Sequence, residues 1–213
     1  TDQGQLLAIG PDGERLWSFH DSERGPINAI ACADIAGDRR PEIIYGGDPA
    51  RLGLLDCDGR QLWRASLPVY RGVRSDVMTL FTGNVAGDAR PEIISGCRSW
   101  QYLAHDSAGK MLWNSVIYAH SATVGCATDV DGDGLDEIFA GNAYYAAQML
   151  DPGGKQLWRV GGIGPEMTAV LALPAKGVPF GRDIVFGVDN GELHCVDIKG
   201  KQRWQTNLGD RVT

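Results

Sequence analysis

The fold turns on Asp106-Ser107-Ala108-Gly109-Lys110-Met111-Leu112-Trp113. Asp at the first turn position and Gly at the fourth suit a type I hairpin turn that ends in a left-handed glycine. A strand with a large aromatic follows directly. The Gly-x-x-Leu-Trp part recurs at 13–17, 59–63, 154–158 and 200–204, with Arg203 replacing Leu in the last copy. The turn Asp recurs as Asp56, Asp151 and Asp197. A Trp at one fixed place per repeat reads as a wedge packing sheet on sheet rather than as a ligand platform.

A second unit, acid-Ile-aliphatic-x-Gly or close to it, begins at Glu42, Glu92, Glu137 and Asp183. From each acid to the next Trp there are 21 positions (42 to 63, 92 to 113, 137 to 158, 183 to 204). From each Trp to the following acid the intervals are 25, 29, 24 and 25, so all length variation falls there. A repeat of 45 to 50 residues matches four short strands with their turns, one propeller blade. Alternation in Ile27-Asn28-Ala29-Ile30-Ala31 and β-branched second strands agree with this. The expected fold is all-β: blades of four antiparallel strands, four full and one half. They form a single domain over 1–213, with blades at about 1–20 (half), 27–67, 75–117, 122–161 and 168–208. Residues 5–9 and 14–20 match third and outer strands, and Arg211-Val212-Thr213 matches the start of an inner strand. The expectation is therefore an open arc of a larger ring, with further blades of the same polypeptide as its neighbours.

Composition narrows the function classes. Net charge is -7, with no basic stripe to meet phosphates, which argues against nucleic acid. No apolar run is long enough to span a bilayer. Cys32, Cys57, Cys97, Cys126 and Cys195 are scattered without a CxxC pair and read as small hydrophobes.

Together the two repeat units resemble those of secreted propellers built from FG-GAP (VCBS) repeats, with the outer-strand Trp pattern of quinoprotein-like (PQQ-like) blades. The resemblance implies an extracellular or periplasmic setting. It implies no PQQ cofactor, since nothing matches the adjacent-cysteine pair of some quinone dehydrogenases. Such propellers serve as scaffolds, receptors and enzymes alike.

The sharpest chemical motif is Asp129-Val130-Asp131-Gly132-Asp133-Gly134-Leu135-Asp136-Glu137. Carboxylates at the first, third, fifth and ninth positions, with the seventh carbonyl, make an oxygen shell for one Ca²⁺: Asp129, Asp131, Asp133, Leu135 and Glu137. Gly134 permits the bend, and Asp136 is expected to face solvent. The matching FG-GAP loops bind calcium, which adds to the reading. The other copies are decayed. The first keeps Asp34, Asp38 and Glu42 but has Ala36 and Arg39 at ligand and bend positions, and the second has Asn84, Ala86 and Ala89. The last keeps only Asp183. Arg40 and Arg90 are placed to neutralise leftover acids.

Blade-to-blade loops and second-to-third-strand loops emerge on one face, opposite the calcium loop. Loops of variable length on a rigid frame are where binding tends to reside. The residues there include Arg71, Arg74, Arg98, Trp100, Tyr118, His120, Tyr144 and Tyr145. Aromatics that stack on sugars beside arginines that grip carboxylates suit an acidic polysaccharide; an extracellular protein is the other partner class. Two readings follow. The leading one is a non-enzymatic, calcium-stabilised binding or scaffold module. The alternative is a polysaccharide lyase, with His120 or Tyr118 abstracting a proton and Arg74, Arg71 or Arg98 neutralising the uronate.

Overall fold

The computed structural model describes residues 3–88, 90–117, 120–144, 146–161, 166–175 and 181–212. A half-blade of β1 (Gln5–Ile9) and β2 (Arg15–His20) comes first. Blade one is β3 (Ile27–Ala33), β4 (Glu42–Gly47), β5 (Arg51–Leu55) and β6 (Gln61–Ser66). A ribbon, β7 (Val69–Tyr70) and β8 (Val73–Arg74), leads to blade two: β9 (Val77–Gly83), β10 (Glu92–Cys97), β11 (Gln101–His105) and β12 (Met111–Val116). Blade three is β13 (Ala122–Thr128), β14 (Glu137–Asn142), β15 (Ala146–Leu150) and β16 (Gln156–Gly161). Blade four is β17 (Met167–Pro174), β18 (Arg182–Val188), β19 (Glu192–Asp197) and β20 (Gln202–Asn207). Each blade is a four-stranded antiparallel sheet in chain order, so no strand crosses over. The chain is all-β, an open propeller arc. Among the described residues, no helix is long and apolar enough to cross a membrane.

The middle strands of blades two and three are buried along their whole length, while the outer strands alternate or lie open. Blades two and three are covered on both faces by their neighbours, so their middle strands need apolar residues on both sides. The core is accordingly a series of inter-blade layers. Ile44, Leu52 and Leu54 of blade one meet Val77, Ile93 and Leu103 of blade two. Ile94, Tyr102 and Ala104 of blade two meet Ile138, Ala140 and Leu150 of blade three. Phe139 and Met149 of blade three meet Ile184 and Phe186 of blade four.

The recurrent hairpin forms the joint between layers. Asp56 Oδ1 accepts the backbone N–H groups of Asp58 and Arg60, and Asp106 Oδ1 those of Ala108 and Lys110. Asp197 Oδ1 accepts those of Lys199 and Lys201 in the same way, and Asp151 Oδ1 accepts the Lys155 N–H. Register shifts between Leu54 and Leu55, Ala104 and His105, and Met149 and Leu150 are the bulges that this turn imposes.

The following glycine holds a left-handed φ (80° at Gly59, 79° at Gly109, 81° at Gly154) and lies against the Trp of the preceding blade. A Cβ on Gly109 would sit 2.9 Å from the Trp63 ring, and one on Gly154 would sit 2.7 Å from the Trp113 ring. Each indole then donates Nε1–H across the joint: Trp17 to Cys57 O (3.0 Å), Trp63 to Ser107 O (2.8 Å), Trp113 to Pro152 O (2.8 Å) and Trp158 to Ile198 O (2.6 Å). A buried ion pair between Arg51 and Asp21 (2.9 Å) also ties the half-blade to blade one.

Candidate metal loop and candidate ligand face

The blade-three loop lies between β13 and β14. It bends through Gly132 (φ 85°) and Gly134 (φ 91°), conformations that side chains resist. Asp129, Asp131 and Glu137 each bring a carboxylate oxygen within 4.8 Å of the other two. Asp129 caps the loop by accepting N–H bonds from Gly132 (2.6 Å) and Gly134 (3.1 Å). Asp133 instead accepts the Leu135 N–H (2.8 Å) and is not one of the converging three. Burial pushes the Glu137 carboxyl above its ordinary pKa, and the charges of Asp131 and Asp133 add to the effect. Like charges held this close favour a cation among them. The residues present therefore fit a hard divalent ion, with Asp129, Asp131 and Glu137 as its carboxylate ligands.

Asp136 differs from the expectation of a solvent-facing residue. Its carboxylate accepts the Asn84 backbone N–H (2.8 Å), and its own N–H reaches Asn84 O (2.8 Å). The Asn84 side chain donates to Gly134 O (2.8 Å). Asp136 thus clasps the blade-three loop to the decayed loop of blade two. Its position beside a ligand acid hid this role, because the partner is 52 residues away.

The decayed loops explain why their acids remain. Glu42 accepts N–H bonds from Ile35 (2.8 Å) and Ala36 (3.0 Å), and Glu92 from Val85 (2.7 Å) and Ala86 (2.9 Å). Glu137 does the same for Val130 (3.0 Å). A buried carboxylate capping backbone donors is useful with or without a metal. Arg39 fills the bend position of the first loop with a left-handed φ of 69°. Arg90 pairs with Asp88 (2.8 Å), whereas Arg40 reaches across to Asp58 (3.7 Å) on the hairpin of its own blade. In blade four, Asp183 pairs with Arg203 (2.8 Å).

Arg74, Arg98 and Asp48 meet on the opposite face, around buried Asp76. Arg74 bonds Asp48 (2.7 Å) and Asp76 (3.3 Å), and Arg98 lies 3.6 Å from Asp76. Asp76 is 1% exposed and also accepts the Ala50 N–H (3.0 Å). His120 and Tyr144 are exposed and form a ring pair 4.5 Å apart. Tyr118 and Tyr145 lie outside the described residues.

A cavity of about 370 Å³ opens between blades two and three. Arg71 and Trp100 line it together with Tyr70, Gln148, Gln156 and Arg159; Arg74, Arg98, His120 and Tyr144 do not. Gln148, Gln156 and Arg159 escaped the sequence reading because they lie on strands rather than on the variable loops. The lone amide at a third-strand position that is glycine or leucine in blades one and two was their signal.

The sequence of residues 145–213 matches the PQQ_2 family model, described as outer membrane protein assembly factor BamB. No curated protein matches the chain. Among solved structures, BamB from Moraxella catarrhalis is similar with a TM-score of 0.70 and 16% identity, covering 100% of this chain and 61% of that one. BBS1N, crystallised in complex with ARL6DN, is similar with TM-scores of 0.68 (lead soak, 11% identity) and 0.66 (mercury soak, 10% identity). Those alignments cover 87% of this chain and 57% and 55% of the other, respectively. The chain thus spans less than two thirds of each of these structures. At these identities the likeness establishes the fold, a β-propeller, and the PQQ-like repeat match lies in residues 145–213.

Proposed function

We propose that this run of PQQ-like blades is a rigid ligand-binding scaffold working outside the cytoplasm, steadied at blade three by one calcium ion. The observation that carries the binding role is the fate of the arginines on the blade-connection face. Arg74 and Arg98 converge on buried Asp76, so their charge is spent holding β8, the start of β9 and the β10–β11 turn together. A lyase needs a guanidinium free to neutralise a uronate beside a base, on the same sugar. Arg71 keeps an exposed guanidinium, yet it lines a cavity that His120 does not. The lyase reading retains one supporting feature, the exposed His120–Tyr144 pair. The FG-GAP likeness rests on the blade-three loop, where the ion would supply positive charge among Asp129, Asp131 and Glu137. Partners of this scaffold are an acidic polysaccharide or an extracellular or periplasmic protein. Incubation with pectin, ulvan and glycosaminoglycans should yield no ultraviolet-absorbing unsaturated uronate. Accumulation of that product, lost in His120→Ala, would replace the scaffold reading with the lyase one.

A further inference from the structure

We infer that the cavity between blades two and three is a binding site for a carboxylated sugar residue, an inference that rests on the binding-scaffold reading and narrows its ligand. Three independent features single this cavity out.

The first is charge. The chain carries 27 acidic and 20 basic side chains, yet among the described residues the cavity is lined by two arginines, Arg71 and Arg159, and by no carboxylate. The equivalent cleft between blades three and four, about 220 Å³, contains Glu192 and His194 instead. An anion is therefore favoured in the first and opposed in the second.

The second feature is backbone strain. The longest Trp-to-acid interval, 29 positions, builds the β7–β8 ribbon. Its two-residue turn places Arg71 (φ 48°) and Gly72 (φ 79°) in left-handed conformations, as a type I′ hairpin requires. Asn or Gly is the ordinary occupant of the first position, so Arg there carries a backbone cost, and its guanidinium lies over the Tyr70 ring at 5.4 Å, at the wall of the cavity. Trp100 (φ 66°) stands in the β10–β11 turn where blade four has Gly191 (φ 87°). Of the three described non-glycine residues with a left-handed φ, Arg39, Arg71 and Trp100, the last two line this one cavity, and Tyr70 joins them edge-on to Trp100 at 6.4 Å.

The third feature is a buried amide. Tyr45 pairs with Gly53, Ser95 with Leu103 and Ala140 with Gln148 at matching positions of successive blades. Gln148 is 2% exposed and lines the cavity, where packing alone would be served by the Leu of blade two. An amide and guanidinium groups supply planar donors for vicinal hydroxyls and a carboxylate, and Trp100 and Tyr70 supply apolar ring surface for the sugar. The volume suits one or two sugar rings rather than a folded partner.

The test is calorimetric titration of the calcium-loaded protein with a galacturonic acid trisaccharide and with its neutral galactose counterpart, with ultraviolet absorbance followed in parallel. The acidic sugar should bind and the neutral one should bind at least about tenfold more weakly. Arg71→Asn and Gln148→Leu should each weaken the acidic sugar by about tenfold or more. Arg71→Asn also installs the preferred Asn-Gly turn, so its melting temperature should hold or rise, separating lost binding from lost folding. No binding of the acidic trisaccharide, or equal binding by both variants and the parent, would overturn the inference while leaving the scaffold reading intact. Turnover of the sugar would overturn the scaffold reading instead.

Discussion

At the scale of single residues, the chain uses left-handed positions for two different ends. Arg39 occupies one in the blade-one loop, and its backbone N–H is already held by Asp34 (2.8 Å). Glycine can keep that bond without the Cβ clash. Arg39→Gly should therefore stabilise the fold by about 1 kcal/mol in urea denaturation. His105 tells a different story. It is 3% exposed, and desolvation lowers its pKa to about 4. Because the folded value lies below the unfolded one near 6.5, the unfolded chain binds the extra proton first. Stability should be full above about pH 6.5 and fall as pH drops toward 4, by up to about 3 kcal/mol. A His105→Leu variant should show a flatter profile across that window, measured by chemical denaturation at several pH values.

At the scale of elements, the hairpin and the metal loop make separable predictions. Gly13 and Gly109 share left-handed φ values of 85° and 79°, but only Gly109 has an indole against it. Gly13→Ala should cost only the backbone term, about 1 kcal/mol. Gly109→Ala should cost about 1–3 kcal/mol more, because a Cβ must displace Trp63 and break its bond to Ser107 O. Thermal melts of the pair check the difference directly. For the loop, one calcium ion should bind with a dissociation constant on the order of 10⁻⁴ to 10⁻³ M. Asp131→Ala should abolish binding and lower the melting temperature in calcium but not in chelator. Asp136→Ala should destabilise in both conditions, since its carboxylate holds Asn84 rather than the ion. Equal behaviour of these two variants in chelator would place Asp136 outside the clasp.

At the scale of the whole molecule, the blades are links of one repeated joint, and the arc shows both halves of that joint open. Trp204 is 44% exposed, while Trp17, Trp63, Trp113 and Trp158 are partly buried against a following hairpin. Gly13 has no side chain against it, unlike Gly59, Gly109, Gly154 and Gly200. Val212 packs on Gly187 as Val77 packs on Gly46. Trp113→Phe should lose stability in thermal melts through the vacated Pro152 carbonyl.

The sequence by itself determined the blade, because its signals are local. An Asp-x-x-Gly turn, alternating strands and an acid at a constant distance from Trp each depend on neighbours within a few dozen residues. The acidic cluster was legible for the same reason: alternate carboxylates in one tight bend lie near one another, and Asp129, Asp131 and Glu137 converge. Only the tertiary structure decided what crosses between blades. It turned Asp136 toward Asn84, gave Arg74 and Arg98 to buried Asp76, and brought Gln148 and Arg159 to the same cavity as Arg71. These pairings join residues from separate repeats, and no pattern along one strand encodes which guanidinium will find which carboxylate once the sheets stack.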